Sequence, residues 1–320
     1  MKYILIFFLS LFISSCCKCD DDFLAMCNGL SDLIEYDSET INRKVIVIGV
    51  DGIRSDVVQE SISPFLFNMS QNENTYFTNS HTVEGNTYSG PNWTSLLTGV
   101  HMRKHNVLGN NFNEPNLSEY PPFFYFLEEI EIDINTVSLV NWLPIQTNII
   151  SESVDYGPKK SLSDFEVYNS CKEILVNNNP VNGDVIFLQF DELDGAGHSY
   201  GFSANVKEYR NTLTIIDNYI EDLFSVIQDK RNNGEDWMVF IVSDHGGDGI
   251  SHSDANNPHV NKTVFYANHP NLKFTDYHTS SMADLFPTIM DFLGITMEKH
   301  RCKIDGVSLL ELVLPESNIE

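Results

Sequence analysis

The chain has 320 residues, of which 42% are hydrophobic and 12% aromatic, and carries a formal net charge of −26. That apolar content fills one large domain or two small ones and excludes a disordered chain. The acidity excludes a surface built to hold nucleic-acid duplex, so a small anionic substrate is compatible only where a local cation overrides the field.

Lys2 precedes an unbroken apolar run over residues 3–13, which meets Ser14, Ser15 and Cys16. The run is short for a membrane span and fits the core of an export signal. Ile13-Ser14-Ser15-Cys16 resembles a bacterial lipobox, in which the cysteine is lipidated and becomes the new N-terminus; an ordinary cleaved signal is the alternative. The expected organisation is a signal peptide and lipobox over 1–19, an acidic tether over 20–42 and one catalytic domain over 43–320. The expected location is outside the cytosol, as a bacterial lipoprotein attached to a membrane only through its lipid and facing the periplasm or cell surface. Of the six cysteines, Cys27, Cys171 and Cys302 are scattered without CxxC spacing, and none is a candidate nucleophile. Removal of a lipidated Cys16 leaves an odd number of thiols.

From Lys44 the pattern is strand, turn, helix, repeated. Residues 45–50 form a continuous apolar run ending at Asp51-Gly52, as in strands buried on both faces. Pro91, two residues after Ser89, suits the first turn of a helix. Further strands are expected over 135–140, over 185–190 ending at Asp191, over 237–242 ending at Ser243-Asp244-His245, and over 263–267. Leu213, Ile216, Ile220, Leu223, Phe224 and Ile227 recur at helical steps within 206–230. A last helix is expected over 281–293, stopped by Gly294. The fold class is therefore α/β, a single domain with a mostly parallel central sheet flanked by helices.

Three of these strands end in acidic or histidine-bearing turns, and ligands of open parallel sheets bind at the carboxyl ends of strands. Asp51 follows the first strand, Asp194 and His198 follow the third, and Asp244 and His245 follow the fourth, with His252 in the next loop. Imidazole nitrogens and carboxylate oxygens suit zinc, and two zinc ions a few ångströms apart can clamp a phosphoryl displacement. Ser89 is the candidate nucleophile, placed where a helix N-terminus favours a phosphate; taken alone it reads equally as a helix cap.

These residues carry a family resemblance. The segment 47–54, Val-Ile-Gly-Val-Asp-Gly-Ile-Arg, resembles the opening of nucleotide pyrophosphatase/phosphodiesterases, and Ser89 to Gly99 is similar to their nucleophile segment and to that of sulfatases. The segments 194–201, 243–247, 284–289 and 304–309 resemble later motifs of that family in the same order. The resemblance covers 44 to about 312 and implies an alkaline phosphatase-like fold. It implies two zinc ions, one on Asp51, Ser89, Asp244 and His245, the other on Asp194, His198 and a third histidine, for which His252 fits best before His259 and His278. It implies that Asn110, or the adjacent Asn111, hydrogen-bonds a phosphoryl oxygen. The relatives use threonine where this chain has Ser89, and Trp93 stands where the sulfatase motif needs arginine. A small phosphate ester, cleaved through a phosphoserine, is the expected substrate. A sulfatase or phosphonate hydrolase on the same fold, and a non-catalytic surface binding lipoprotein, are the alternatives. Sequons occur at Asn68, Asn92, Asn116 and Asn261, but a glycan at Asn92 would block the nucleophile, so they read as incidental.

Overall fold

A computed structural model describes residues 26–311 apart from 28, 41, 131–132, 177–179 and 276–278. The leader over 1–19 with Cys16, the start of the tether and His278 lie outside the described residues.

Among the described residues the strands are β1 (Glu35–Tyr36), β2 (Arg43–Val50), β3 (Thr75–Thr82), β4 (Thr136–Val140), β5 (Val185–Phe190), β6 (Asp236–Val242), β7 (Lys262–Asn268) and β8 (Ile295–Thr296). Six form one sheet in the order β3-β7-β6-β2-β5-β4. β6, β2, β5 and β4 are parallel, and only β7 runs against its neighbours. This is the mostly parallel α/β sheet expected from the apolar runs.

Both faces are covered, by helices α1 (Pro64–Ser70), α2 (Ser89–Thr98), α3 (Asp164–Leu175), α4 (Glu192–Tyr200), α5 (Lys207–Asn232) and α6 (Leu285–Leu293), which explains why the central strands carry apolar side chains on both faces rather than at alternate positions. Alternate side chains of β2 divide between two cores. Val45 and Val47 join Phe187 and Phe240 against Trp93, Leu96 and Leu97 of α2 and Phe286 and Ile289 of α6. Ile46 and Ile48 join Leu188 and Ile241 against α3 and against Leu213, Ile216, Ile220, Leu223 and Ile227 of α5.

Three features depart from the sequence reading. β3 was not expected, because Thr75–Thr82 is a half-buried edge strand with mixed polar residues and no apolar run. Helix α6 begins at Leu285 rather than 281, because the Asp284 carboxylate accepts the Ser281 N–H at 2.6 Å and folds 281–284 into a turn. The described part of the expected tether is docked on the body. β1 pairs antiparallel with β8, and Cys27 is disulfide-bonded to Cys302 across 275 residues of sequence. Cysteine spacing carries no information about so distant a partner. Cys171 is a buried free thiol. No described helix is long and apolar enough to cross a membrane.

Because β2, β5 and β6 are parallel, their carboxyl ends share one edge. β3, antiparallel to β7, ends there too and leads into α2. That edge is where chemistry-bearing residues distant in sequence meet.

Candidate metal centre

Each strand end delivers its residue with local support. The Asp51 N–H bonds Phe190 O of β5 at 2.9 Å, which joins the turn after β2 to the next strand. Asp194 and His198 stand four residues apart on α4, hence on one helix face, with His198 Nε2 3.3 Å from Asp194 Oδ2. The start of α4 is held by Asp164, whose two oxygens accept the Asp191 and Glu192 N–H groups at 2.9 and 3.1 Å. The loop after β6 closes on α4 through the buried Phe202 ring. A Cβ on Gly197 or on Gly247 would lie 2.3 Å from that ring, so both glycines are needed for this approach. Ser89 is the first residue of α2, after an extended Tyr88.

The side chains converge. Ligand atoms of Asp194, His198 and His252 lie within 4.8 Å of one another, and so do those of Asp51, Asp194 and His245. His245 Nε2 is 3.4 Å from Asp51 Oδ1, 3.3 Å from Asp244 Oδ2 and 3.4 Å from Ser89 Oγ. The His245 and His252 rings stack with centroids 3.8 Å apart. All three histidines have the same orientation. Nδ1 of His198 bonds Ile250 O at 2.9 Å, that of His245 bonds Gly246 O at 2.8 Å, and that of His252 bonds Thr87 O at 2.7 Å. Each carbonyl demands the proton on Nδ1, so the lone pair sits on Nε2.

The electrostatics are those of an uncompensated acid cluster. Burial, with the neighbouring carboxylates adding, pushes the Asp51 and Asp244 carboxyls well above their usual range. Burial lifts Asp194 to about 7. Burial, with His252 adding, holds His245 well below the ordinary imidazole value, and burial lowers His252 too. Asp51 Oδ1, Asp194 Oδ1 and Asp244 Oδ2 are buried without a hydrogen-bond partner. Buried carboxylates without donors are costly unless a cation completes them. Imidazole nitrogens facing those oxygens are the donor set of zinc rather than of magnesium or calcium.

The remaining candidates separate by geometry. His259 stands apart, half-exposed, with Nδ1 3.9 Å from Asp56. Asn110 Oδ1 accepts the Gly90 N–H at 2.8 Å, next to Ser89, whereas Asn111 Oδ1 caps the Asn113 N–H at 3.4 Å. Thr87 Oγ1 donates to His252 O, and Thr94 Oγ1 donates to Gly90 O at 2.6 Å, so both other hydroxyls near Ser89 are committed to backbone.

Sequence reasoning missed three residues. Asn92, read there only as a sequon, is fully buried, and its amide bonds Glu84 N, Asn86 O and Tyr88 O, which shapes the approach to Ser89 and leaves no room for a glycan. Trp93 Nε1 and Gln189 Nε2 both donate to Asp51 Oδ2, at 2.9 and 3.2 Å. A glutamine inside the apolar run of β5 was the legible signal for the last of these.

Comparison with known proteins gives consistent matches. A family model for type I phosphodiesterase / nucleotide pyrophosphatase matches residues 45–130 and 153–287. Bis(5'-adenosyl)-triphosphatase ENPP4 of Bos taurus is 24% identical over 227 residues, 63% of this chain and 47% of that protein. The 2,3-bisphosphoglycerate-independent phosphoglycerate mutase of Malacoplasma penetrans is 26% identical over 242 residues, 70% of this chain and 42% of that protein. The chain thus spans about half the length of the curated relatives it matches. The solved structure of murine ectonucleotide pyrophosphatase / phosphodiesterase 5, in an inactive form in complex with AMP, superposes with a TM-score of 0.61 at 14% identity, covering 84% of this chain and 100% of that one. At that identity the likeness is one of fold.

Proposed function

The chain belongs to the type I phosphodiesterase / nucleotide pyrophosphatase family, and on that basis we propose that it is a zinc-dependent phosphoric ester hydrolase acting through Ser89 and a phospho-enzyme. The family hydrolyses phosphate esters and typically depends on metal. Asp51, Ser89, Asp244 and His245 would hold one zinc ion, and Asp194, His198 and His252 a second. When bound, the ions supply Lewis acidity that lowers the serine pKa and neutralises charge on the phosphoryl and leaving oxygens.

The protein's own groups do the rest. Ser89 Oγ, at the N-terminus of the ten-residue α2, faces a phosphoryl group where the helix dipole favours negative charge. The Oγ–P bond forms as the bond from phosphorus to the leaving oxygen breaks, and water then cleaves the phosphoserine. Asn110 commits Oδ1 to Gly90, which leaves its Nδ2 to donate to a non-bridging oxygen. The observation that carries the reading is the common orientation of His198, His245 and His252, with Nδ1 on backbone carbonyls, beside three buried carboxylate oxygens without partners.

A small phosphate ester is the substrate this reading requires, and AMP in the murine neighbour is an example of such chemistry. The likeness to a phosphoglycerate mutase favours a second reading, transfer of the phosphoryl group from Ser89 to another substrate hydroxyl. Trp93 in place of arginine disfavours the sulfatase alternative. Purified zinc-loaded protein should turn over an aryl phosphodiester or phosphomonoester, lose that activity on chelation, and leave the matching aryl sulfate intact. Sulfate as the better substrate, phosphoglycerate isomerisation without hydrolysis, or no turnover with any ester would overturn the hydrolase reading in favour of the corresponding alternative. We propose further that the protein is exported and anchored through Cys16. Cys16→Ala should then abolish lipid labelling and release the protein from membranes; a mature, unlipidated N-terminus well downstream of Cys16 would refute the anchor.

A further inference from the structure

We propose that Trp93 and Gln189 are positioning residues that clamp one oxygen of Asp51, so that only the other is offered to a metal ion; this rests on the metal-dependent reading above. Both side chains are fully buried. The indole Nε1–H reaches Asp51 Oδ2 at 2.9 Å and the Gln189 amide reaches the same oxygen at 3.2 Å. Asp51 Oδ1, by contrast, is buried without a hydrogen-bond partner and lies 3.4 Å from His245 Nε2. The two oxygens of one carboxylate therefore have separate roles, one saturated by neutral donors, the other held out.

The clamp is itself held from behind. Gln189 Oε1 accepts the Trp142 N–H at 2.9 Å, which fixes the amide so that Nε2 faces the acids, where it also reaches Asp191 Oδ1 at 3.2 Å. Trp93 lies across β2 at Gly49. A Cβ there would come within 2.6 Å of the indole Cη2, so any larger residue at 49 would displace the ring. Trp93 is also one helical turn from Ser89 on α2, so the element that presents the nucleophile grips the carboxylate beside it. If only volume were required, phenylalanine would fill the space at 93 and an aliphatic residue the space at 189. The polar ends are explained by their shared target. Neutral donors orient a carboxylate without cancelling its charge, and so leave it fully available to a cation.

Zinc titration against a competing chromophoric chelator tests this. Wild-type protein should take up two equivalents. In Trp93→Phe and in Gln189→Met one equivalent should weaken by about 10- to 100-fold while the other stays unchanged. Trp237→Phe is the control for loss of a buried indole. Trp237 is also buried, but it is the second residue of β6, at the strand's amino end away from the acid cluster, and donates to Glu235 at 2.9 Å, so this variant should keep both affinities. Unchanged zinc affinity in both clamp variants, or equal weakening in Trp237→Phe, would overturn the proposal. Failure of the wild-type protein to bind zinc would instead overturn the functional reading on which it rests.

Discussion

At the residue scale the sharpest question for the proposed hydrolase is which hydroxyl would react. Thr87, Ser89 and Thr94 lie within eight residues, but Thr87 donates to His252 O and Thr94 donates to Gly90 O. Ser89 Oγ alone of the three lies beside the imidazole and carboxylate cluster, 3.4 Å from His245 Nε2. Ser89→Ala should lower turnover by roughly three orders of magnitude or more while the protein stays folded and keeps binding zinc. Thr94→Ala and Thr87→Ser, which keeps the oxygen that bonds His252, should remain within about tenfold of wild type. Phosphate trapped on Thr87 or Thr94 in a peptide map of the quenched enzyme would reassign the nucleophile. In the sequence the preference for Ser89 rests only on the family segment and the proline two residues on. The commitments of the two threonines depend on loop 246–257 and on the turn of α2, which no local pattern reports.

At the element scale, two helices, α1 and α4, are capped by residues from other elements. The N-terminal N–H groups of α1 at Phe65 and Leu66 are accepted at 2.9 Å by the two oxygens of Asp217, which is on α5 and buried. Asp164 on α3 serves α4 in the same way. Ser63, the residue preceding α1, makes no side-chain cap bond, so a reading by local capping rules assigns the wrong partner. Asp217→Ala should leave two helical N–H groups unsatisfied and lower stability by about 1–2 kcal/mol, measured by denaturant unfolding. A Ser63→Ala variant should cost much less. Equal losses would mean that Asp217 matters through packing rather than as a cap. Helix α5 itself was legible from its apolar stripe, because a half-buried helix must repeat that stripe at 3.6 residues. β3 was not, because an edge strand that is only half covered needs no such regularity.

At the scale of the whole molecule, a polar network ties the loop before Ser89 to the C-terminal segment. Glu84 accepts from Ser95 Oγ at 2.7 Å and from His101 Nδ1 at 2.7 Å, and the His101 N–H bonds Asp305 at 2.9 Å. Burial pushes Glu84 up, but the His101 hydrogen bond and charge outweigh it and hold Glu84 below its ordinary value. The Glu84 hydrogen bond raises His101 against burial. The Glu84 contribution to stability is present above its unfolded pKa and lost as pH falls through the depressed folded value. The His101 contribution is present below its unfolded pKa and lost as pH rises through the raised folded value. The pair therefore stabilises fully between about pH 4.5 and 6.5. Melting temperatures of Glu84→Gln and wild type should differ most in that window and converge above it; a difference that does not vary with pH would exclude the ion pair as its cause. The sequence by itself determined the class of fold, since strands buried on both faces are largely apolar, and it singled out Asp51, Asp194, His198, Asp244 and His245 as candidates, since strand ends in a parallel sheet share one edge, while His252 came from the family resemblance. Only the tertiary structure decided which ring nitrogen each histidine turns inward, which oxygen of Asp51 is held back by Trp93 and Gln189, and that Cys27 meets Cys302. Those depend on distances of a few ångströms between segments far apart in the chain, and such distances leave no periodic trace in composition or spacing.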